Sequence, residues 1–152
     1  MEIETLRDVL DWTRKFHEKL SQCLSNSVDK NSDERARMVM AYLADHEQAL
    51  AKVIRGFEST GDEDALNTWF NEYVNKTPVL QKVHSKTPFA NLNASQIMEV
   101  VADQHQQAIE LYRYLARRAD IDSAQEMLEA LLSLEEHEIM RMTQSTNRFS
   151  DM

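Results

Sequence analysis

Four of the five histidines, His17, His46, His105 and His137, fall in four separate stretches of helical pattern, each on or beside an apolar stripe. Imidazoles carried inward on apolar faces, with carboxylates beside them, form a donor set suited to iron, manganese or zinc. Two of these histidines lie in near-identical tripeptides, Asp45-His46-Glu47 and Glu136-His137-Glu138, set 91 positions apart. The register extends outward, pairing Val9 with Val100, Leu24 with Leu115, Asp29 with Asp120 and Ser32 with Ser123. Two similar halves, each a pair of long helices, suggest a four-helix bundle built by duplication. His46 and His137 would then lie inside it at similar height on equivalent helices. Such a layer can hold a metal; it can equally be a structural polar layer that fixes helix register.

The elements that must position these residues are legible from spacing. Thr5-x-x-Asp8 reads as a capping-box start. Leu6, Val9/Leu10, Thr13, Phe16/His17, Leu20 and Cys23/Leu24 then recur at three and four, which predicts a helix over 5–27. After a short polar turn, Ser32 starts a second helix, over 32–58, with Asp33 and Glu34 set against its dipole. Its stripe is Val39, Leu43, His46, Leu50, Val53/Ile54 and Phe57. So short a link makes the two helices antiparallel neighbours.

A third helix starts at Asn93-x-x-Gln96 or Ser95 and runs to about 119, carrying Ile97, Val100/Val101, Gln104/His105, Ala108, Leu111/Tyr112 and Leu115 inward. Ser123-x-x-Glu126 reads as the capping box of a fourth, over 123–147, with Met127/Leu128, Leu131, Leu134/Glu135, Glu138 and Met142 inward. Residues 59–92 form a crossover. Leu66, Trp69, Phe70, Tyr73 and Val74 outline a short helix within it, near 63–75, as a strap over the open edge of the core. The whole chain, 1–152, reads as one domain: hairpin 5–58, crossover 59–92, hairpin 93–147.

Composition excludes several functions. Only two Gly and two Pro among 152 residues point to an all-helical protein. A net charge of −9 with scattered basic residues argues against nucleic acid, since nothing neutralises a phosphate backbone. One cysteine excludes an internal disulfide, and Cys23, on an apolar position, reads as a buried thiol. No stretch approaches the length of a membrane span and none at the start resembles a signal peptide, so a cytoplasmic protein is expected. Neither a Cys-x-x-Cys pair nor a Gly-rich phosphate loop occurs.

The paired hairpins, the long crossover and the phrases AYLADHEQAL, QQAIELYRYLA and SLEEHEIM resemble the ferritin-like superfamily, closest to its rubrerythrin-type members. The resemblance covers nearly the whole chain and implies an all-α, antiparallel four-helix bundle with a long crossover. It also implies a diiron site in which helices one and three each give a Glu, often seven residues before an aromatic, and helices two and four each give Glu-x-x-His. This sequence departs from that pattern, for it has no Glu-x-x-His. The pattern falls on Glu47 in helix two, with Leu50 in place of His, and on Glu135 in helix four, with Glu138 in place of His. In helix three His105 stands seven before Tyr112 where Glu is expected, and in helix one the same rule applied from His17 gives Leu10.

The resemblance therefore implies a degenerate site. Glu47, His105, Glu135 and Glu138 are the candidate metal ligands, with His46 and His137 as ligands or their immediate supports. The expected function is a ferritin-like bundle that has lost the full diiron site and acts as a non-catalytic binding or oligomerising module, with no cofactor. The alternative is a divergent iron, manganese or zinc protein in iron or peroxide handling. The sequence leaves open whether the chain is an enzyme. Met38, Met40, Tyr114 and Met140 are apolar positions that could serve a binding module, and a homodimer is expected through a helix face, that of helices one and two or of the crossover, where Trp12, Met38, Met40 and Tyr42 leave apolar area.

Overall fold

The computed structural model describes residues 3–70 and 88–150. Among them run five α-helices: α1 Leu6–Ser27, α2 Glu34–Thr60, α3 Glu63–Leu66, α4 Ala94–Ala116 and α5 Asp122–Ser150. Most of the expected stripes become the core; Val53 is exposed, and Cys23, Phe57, Val100 and Leu134 are half-buried. Leu6, Val9, Leu10, Leu20 and Leu24 of α1, Val39, Leu43, Leu50 and Ile54 of α2, Ile97, Val101, Ala108 and Leu115 of α4, and Leu128 and Leu131 of α5 are all buried. Each Leu, Ile and Val side chain among them contributes roughly 1.5–3 kcal/mol by leaving water, so these stripes dominate the stability of the fold.

Cross-helix contacts fix the directions. Ser21 Oγ donates to the Ala44 carbonyl at 2.7 Å, while Arg14, earlier in α1, reaches Glu58, later in α2, at 2.7 Å. The two helices are therefore antiparallel. The same holds for α4 and α5, where His105 meets Glu135 and Met98 meets Thr146. Between hairpins, Thr13 meets Tyr112 and His17 faces His105, which sets α1 against α4. His46 meets Glu138 and Tyr42 meets Phe149, which sets α5 against α2. It follows that α2 and α4 run parallel, so the chain between them must return along the bundle.

Both ends of that return are anchored. At one end Phe70 N–H donates to Glu4 O at 2.7 Å and Leu6 N–H to Thr68 O at 2.9 Å. At the other, the Asn31 side-chain amide donates to the carbonyls of Phe89 and Leu92, both at 2.9 Å. A single long crossover joining two hairpins results.

Several local expectations change. Within the described part of the crossover the helix is one turn, because after Leu66 the backbone leaves the helical ladder to pair with the start of α1, with a bridge between Thr5 and Trp69. Leu66 and Phe70 cover the core edge, whereas Trp69 is exposed; Tyr73 and Val74 lie outside the described residues. Capping boxes do form at Thr5/Asp8 and Asn93/Gln96. The start of α2 is capped by Asp33 rather than Ser32. Ser123 is no cap, because α5 already begins at Asp122. Helix α4 ends at Ala116, short of 119, where the Arg117 and Arg118 N–H groups turn back to Arg113 O and Leu115 O.

Met40 is core, and Tyr114 is half-buried under the Arg118 guanidinium, 3.6 Å from its ring centroid. Met38 and Met140 are exposed as expected. No helix among the described residues is long and apolar enough to cross a membrane.

Candidate metal centre

One polar side chain from each long helix meets at the middle of the bundle. His17 (α1), Glu47 (α2), His105 (α4) and Glu135 (α5) are between 0 % and 1 % exposed. They alternate around a closed ring. His17 Nδ1 lies 2.7 Å from Glu47 Oε2 and its Nε2 lies 2.6 Å from Glu135 Oε1. His105 Nδ1 lies 2.9 Å from Glu135 Oε2, and its Nε2 contacts Glu47 Oε1. The imidazole centroids are 5.0 Å apart. Every imidazole nitrogen faces a carboxylate oxygen, and every carboxylate oxygen faces an imidazole.

The charges follow from that pairing. Burial alone would push the His17 pKa down, but the carboxylates of Glu135 and Glu47 outweigh it and raise it to about 9. His105 is likewise lifted against burial, by Glu47 and Glu135, to about 10. Burial alone would raise both glutamates, and the imidazoliums reverse it. Glu135 falls to about 2, and Glu47 falls below its usual range. At neutral pH the metal-free ring is thus two imidazoliums and two carboxylates, with four N–H donors matched to four acceptors and no net charge.

Above the ring, Tyr112 donates to Thr13 Oγ1 at 2.7 Å, and Thr13 donates to Leu10 O at 3.2 Å. Burial and then the Glu135 carboxylate push the Tyr112 phenol well up, so it stays neutral. Beside His105, Gln104 Oε1 is buried with no hydrogen-bond partner.

Three expected residues, Glu47, His105 and Glu135, are brought together; three are not. Glu138 turns to the rim, where its Oε2 lies 3.4 Å from His46 Nδ1 and its Oε1 lies 3.6 Å from Arg141. His46 is half-buried there. His137 is exposed and bonds back to Ser133 O at 3.1 Å, so the shared tripeptides do not form an inner layer. The reason is helical phase: one position along a helix turns a side chain by about 100°, and the inward slots at these heights are taken by Glu47 and Glu135.

The fourth member, His17, is the residue that the family rule displaced onto Leu10. The signal for it is a spacing: His17 precedes Glu47 by 30 residues and His105 precedes Glu135 by 30. Both residue types are thus offset by 88, from 17 to 105 and from 47 to 135. The caps Thr5 and Asn93, and the buried pairs Val9/Ile97, Met40/Leu128 and Leu43/Leu131, share that offset. The core follows 88, whereas the tripeptide register of 91 places His46 and His137 in unlike surroundings.

The donor chemistry fits a transition ion. His17, His105 and Glu135 each offer a ligand atom within 4.8 Å of the others. Two imidazoles with two carboxylates suit iron, manganese or zinc. Among the described residues, the two positions where the family pattern expects a histidine do not join the ring: Leu50 packs in the core and Glu138 faces the rim.

No protein-family model and no curated protein matches the sequence. The fold is similar to a solved structure described as a "putative ferritin-like diiron-carboxylate protein" from Thermotoga maritima. The TM-score is 0.62 at 12 % identity, covering 94 % of this chain and 95 % of that one. At that identity the likeness speaks for the fold alone. This chain has the ferritin-like fold.

Proposed function

We propose that this chain is a ferritin-like metal-binding protein that holds a divalent transition ion, iron foremost, through His17, Glu47, His105 and Glu135. The observation that carries the reading is the convergence of four ligand-type side chains, one per long helix, on one buried point. A bound ion would supply Lewis acidity and, as iron or manganese, an electron to exchange with a small oxidant. The protein's part is to orient the donors and exclude water. His17 and His105 present nitrogen lone pairs once deprotonated, and the glutamates each turn two oxygens inward.

The description of the structural neighbour as a diiron-carboxylate protein supports iron in particular. Two histidines, His17 and His105, replace the carboxylates that the family pattern expects on the first and third helices. They lower the negative charge of the site from four carboxylates to two, which matches one divalent ion.

A second reading is favoured by the stoichiometry of the ring, in which four donors meet four acceptors with nothing further required. On that reading the ring is a structural layer and the chain a non-catalytic binding module. Metal analysis decides between them. The protein is stripped with chelator, reconstituted anaerobically with Fe(II), Mn(II) or Zn(II), and desalted. About one ion per chain, lost in His17→Ala and Glu135→Ala, is expected. Retention of less than about a tenth of an equivalent of all three overturns the metal reading.

A further inference from the structure

The ring is sealed, so an ion that reaches it must pass between helices. Two ligand-type side chains touch solvent and also flank ring residues in sequence across a single seam. His46 precedes Glu47 on α2, and Glu138 lies one turn beyond Glu135 on α5. They face one another at 3.4 Å, with side chains 25 % and 15 % exposed. We propose that His46 and Glu138 form the station at which a divalent ion leaves water and enters the α2/α5 seam on its way to the ring. This inference rests on the metal-binding reading above.

The pair is built to exchange. Its 3.4 Å contact, and the 3.6 Å contact from Arg141 to the other Glu138 oxygen, are long compared with the 2.6–2.9 Å contacts of the ring. Pairs so loose and partly solvated are worth little, so a cation displaces them easily. The Tyr42 ring packs on His46, with centroids 4.3 Å apart, and holds the imidazole at the seam. On a helix, side chains three apart are neighbours with Cβ atoms about 5–6 Å apart, so Glu138 can hand an ion to Glu135 without unwinding α5.

The other candidate path is less suited to a cation. A groove of about 420 Å³ on the α1/α2 seam is lined by Glu18, Ser21, Gln22, Ser25 and Gln48. Its one carboxylate is already held by Arg14 at 3.0 Å and Arg55 at 3.4 Å, whose positive charges oppose an incoming ion. On α4, the buried Tyr112 hydroxyl and the buried amide oxygens of Gln104 and Gln107 are neutral groups.

The test is the rate of Co(II) uptake by metal-free protein, followed by stopped-flow absorbance, with final stoichiometry from metal analysis. His46→Ala, Glu138→Gln and the double variant are expected to slow uptake by about tenfold or more, with the bound ion per chain unchanged at equilibrium. Glu18→Gln is expected to leave the rate as it is. Wild-type rates in the double variant overturn the proposal, and so does loss of bound cobalt at equilibrium, which makes the pair permanent ligands. If wild-type protein itself binds no cobalt, iron, manganese or zinc, the metal reading has failed first and the route falls with it.

Discussion

Each ring residue is held by two partners of opposite charge, and this sets what single changes do. Removing one histidine leaves two carboxylates sharing a single imidazolium in a site that water does not reach. His105→Ala is expected to cost the metal-free protein about 3–5 kcal/mol in urea unfolding. A loss under about 1 kcal/mol would show that the ring tolerates an unpaired carboxylate. The pH dependence has a definite sign. His17 and His105 have raised folded-state values, so their contribution is complete below their unfolded value of 6.5 and is lost as pH rises through about 9 to 10. Glu47 and Glu135 are lowered, so theirs is complete above 4.5 and is lost as pH falls, for Glu135 down to about 2. Thermal melts of metal-free protein should therefore be highest near pH 5–6 and fall on both sides. A ring with neutral imidazoles would give no alkaline loss. Ligation needs those imidazoles deprotonated, so metal affinity should rise with pH across the same alkaline range, with proton release on binding.

At the scale of elements, the two glycines have opposite roles. Gly56, inside α2, has open space where a Cβ would go, so Gly56→Ala is expected to stabilise by roughly 0.5–1 kcal/mol through helix propensity. Gly61 ends α2, and a Cβ there would lie 2.4 Å from the Phe57 carbonyl oxygen and 2.8 Å from the Met127 methyl. The methyl can move; the carbonyl, which accepts the Gly61 N–H at 2.9 Å, cannot. Gly61→Ala should destabilise by about 1–3 kcal/mol, and an equal melting temperature for the two variants would contradict the close approach. The long helices were legible because their apolar residues recur at three and four beside recognisable caps. The crossover helix was not: the apolar spacing of Leu66, Trp69 and Phe70 suits a helix, but backbone pairing of Thr68 and Phe70 with Leu6 and Glu4 took the hydrogen bonds that would have extended it.

Across the whole molecule, the ring ties each hairpin to the other, because every histidine bridges its own hairpin's glutamate and the opposite one. Buried charge is seldom the cheapest way to join helices. Replacing all four residues together, as His17→Leu, Glu47→Met, His105→Leu and Glu135→Met, is expected to leave stability unchanged or raise it by about 1–4 kcal/mol while abolishing metal uptake. Unfolding of the fourfold variant at wild-type conditions would instead make the ring a structural requirement. We also propose that the chain pairs as a homodimer, using apolar surface that Met38 and Tyr42 leave on α2. Light scattering that gives the monomer mass at tens of micromolar would remove that proposal.

The sequence by itself determined the four long helices, most of their inward stripes and the antiparallel hairpins. These follow from local periodicity, capping chemistry and short links, which need no distant partner. Tertiary structure decided the rest. Whether His46 or its neighbour Glu47 points inward is a matter of helical phase, a turn of about 100° that packing against the other helices resolves. Glu138 could serve as a ligand by spacing alone, yet the seam with α2 gave it His46 as a partner. His17 became the fourth member of the ring because packing of the two hairpins sets it against His105 of α4 and within 2.6 Å of Glu135 of α5, contacts between residues far apart in the chain that no local pattern announces.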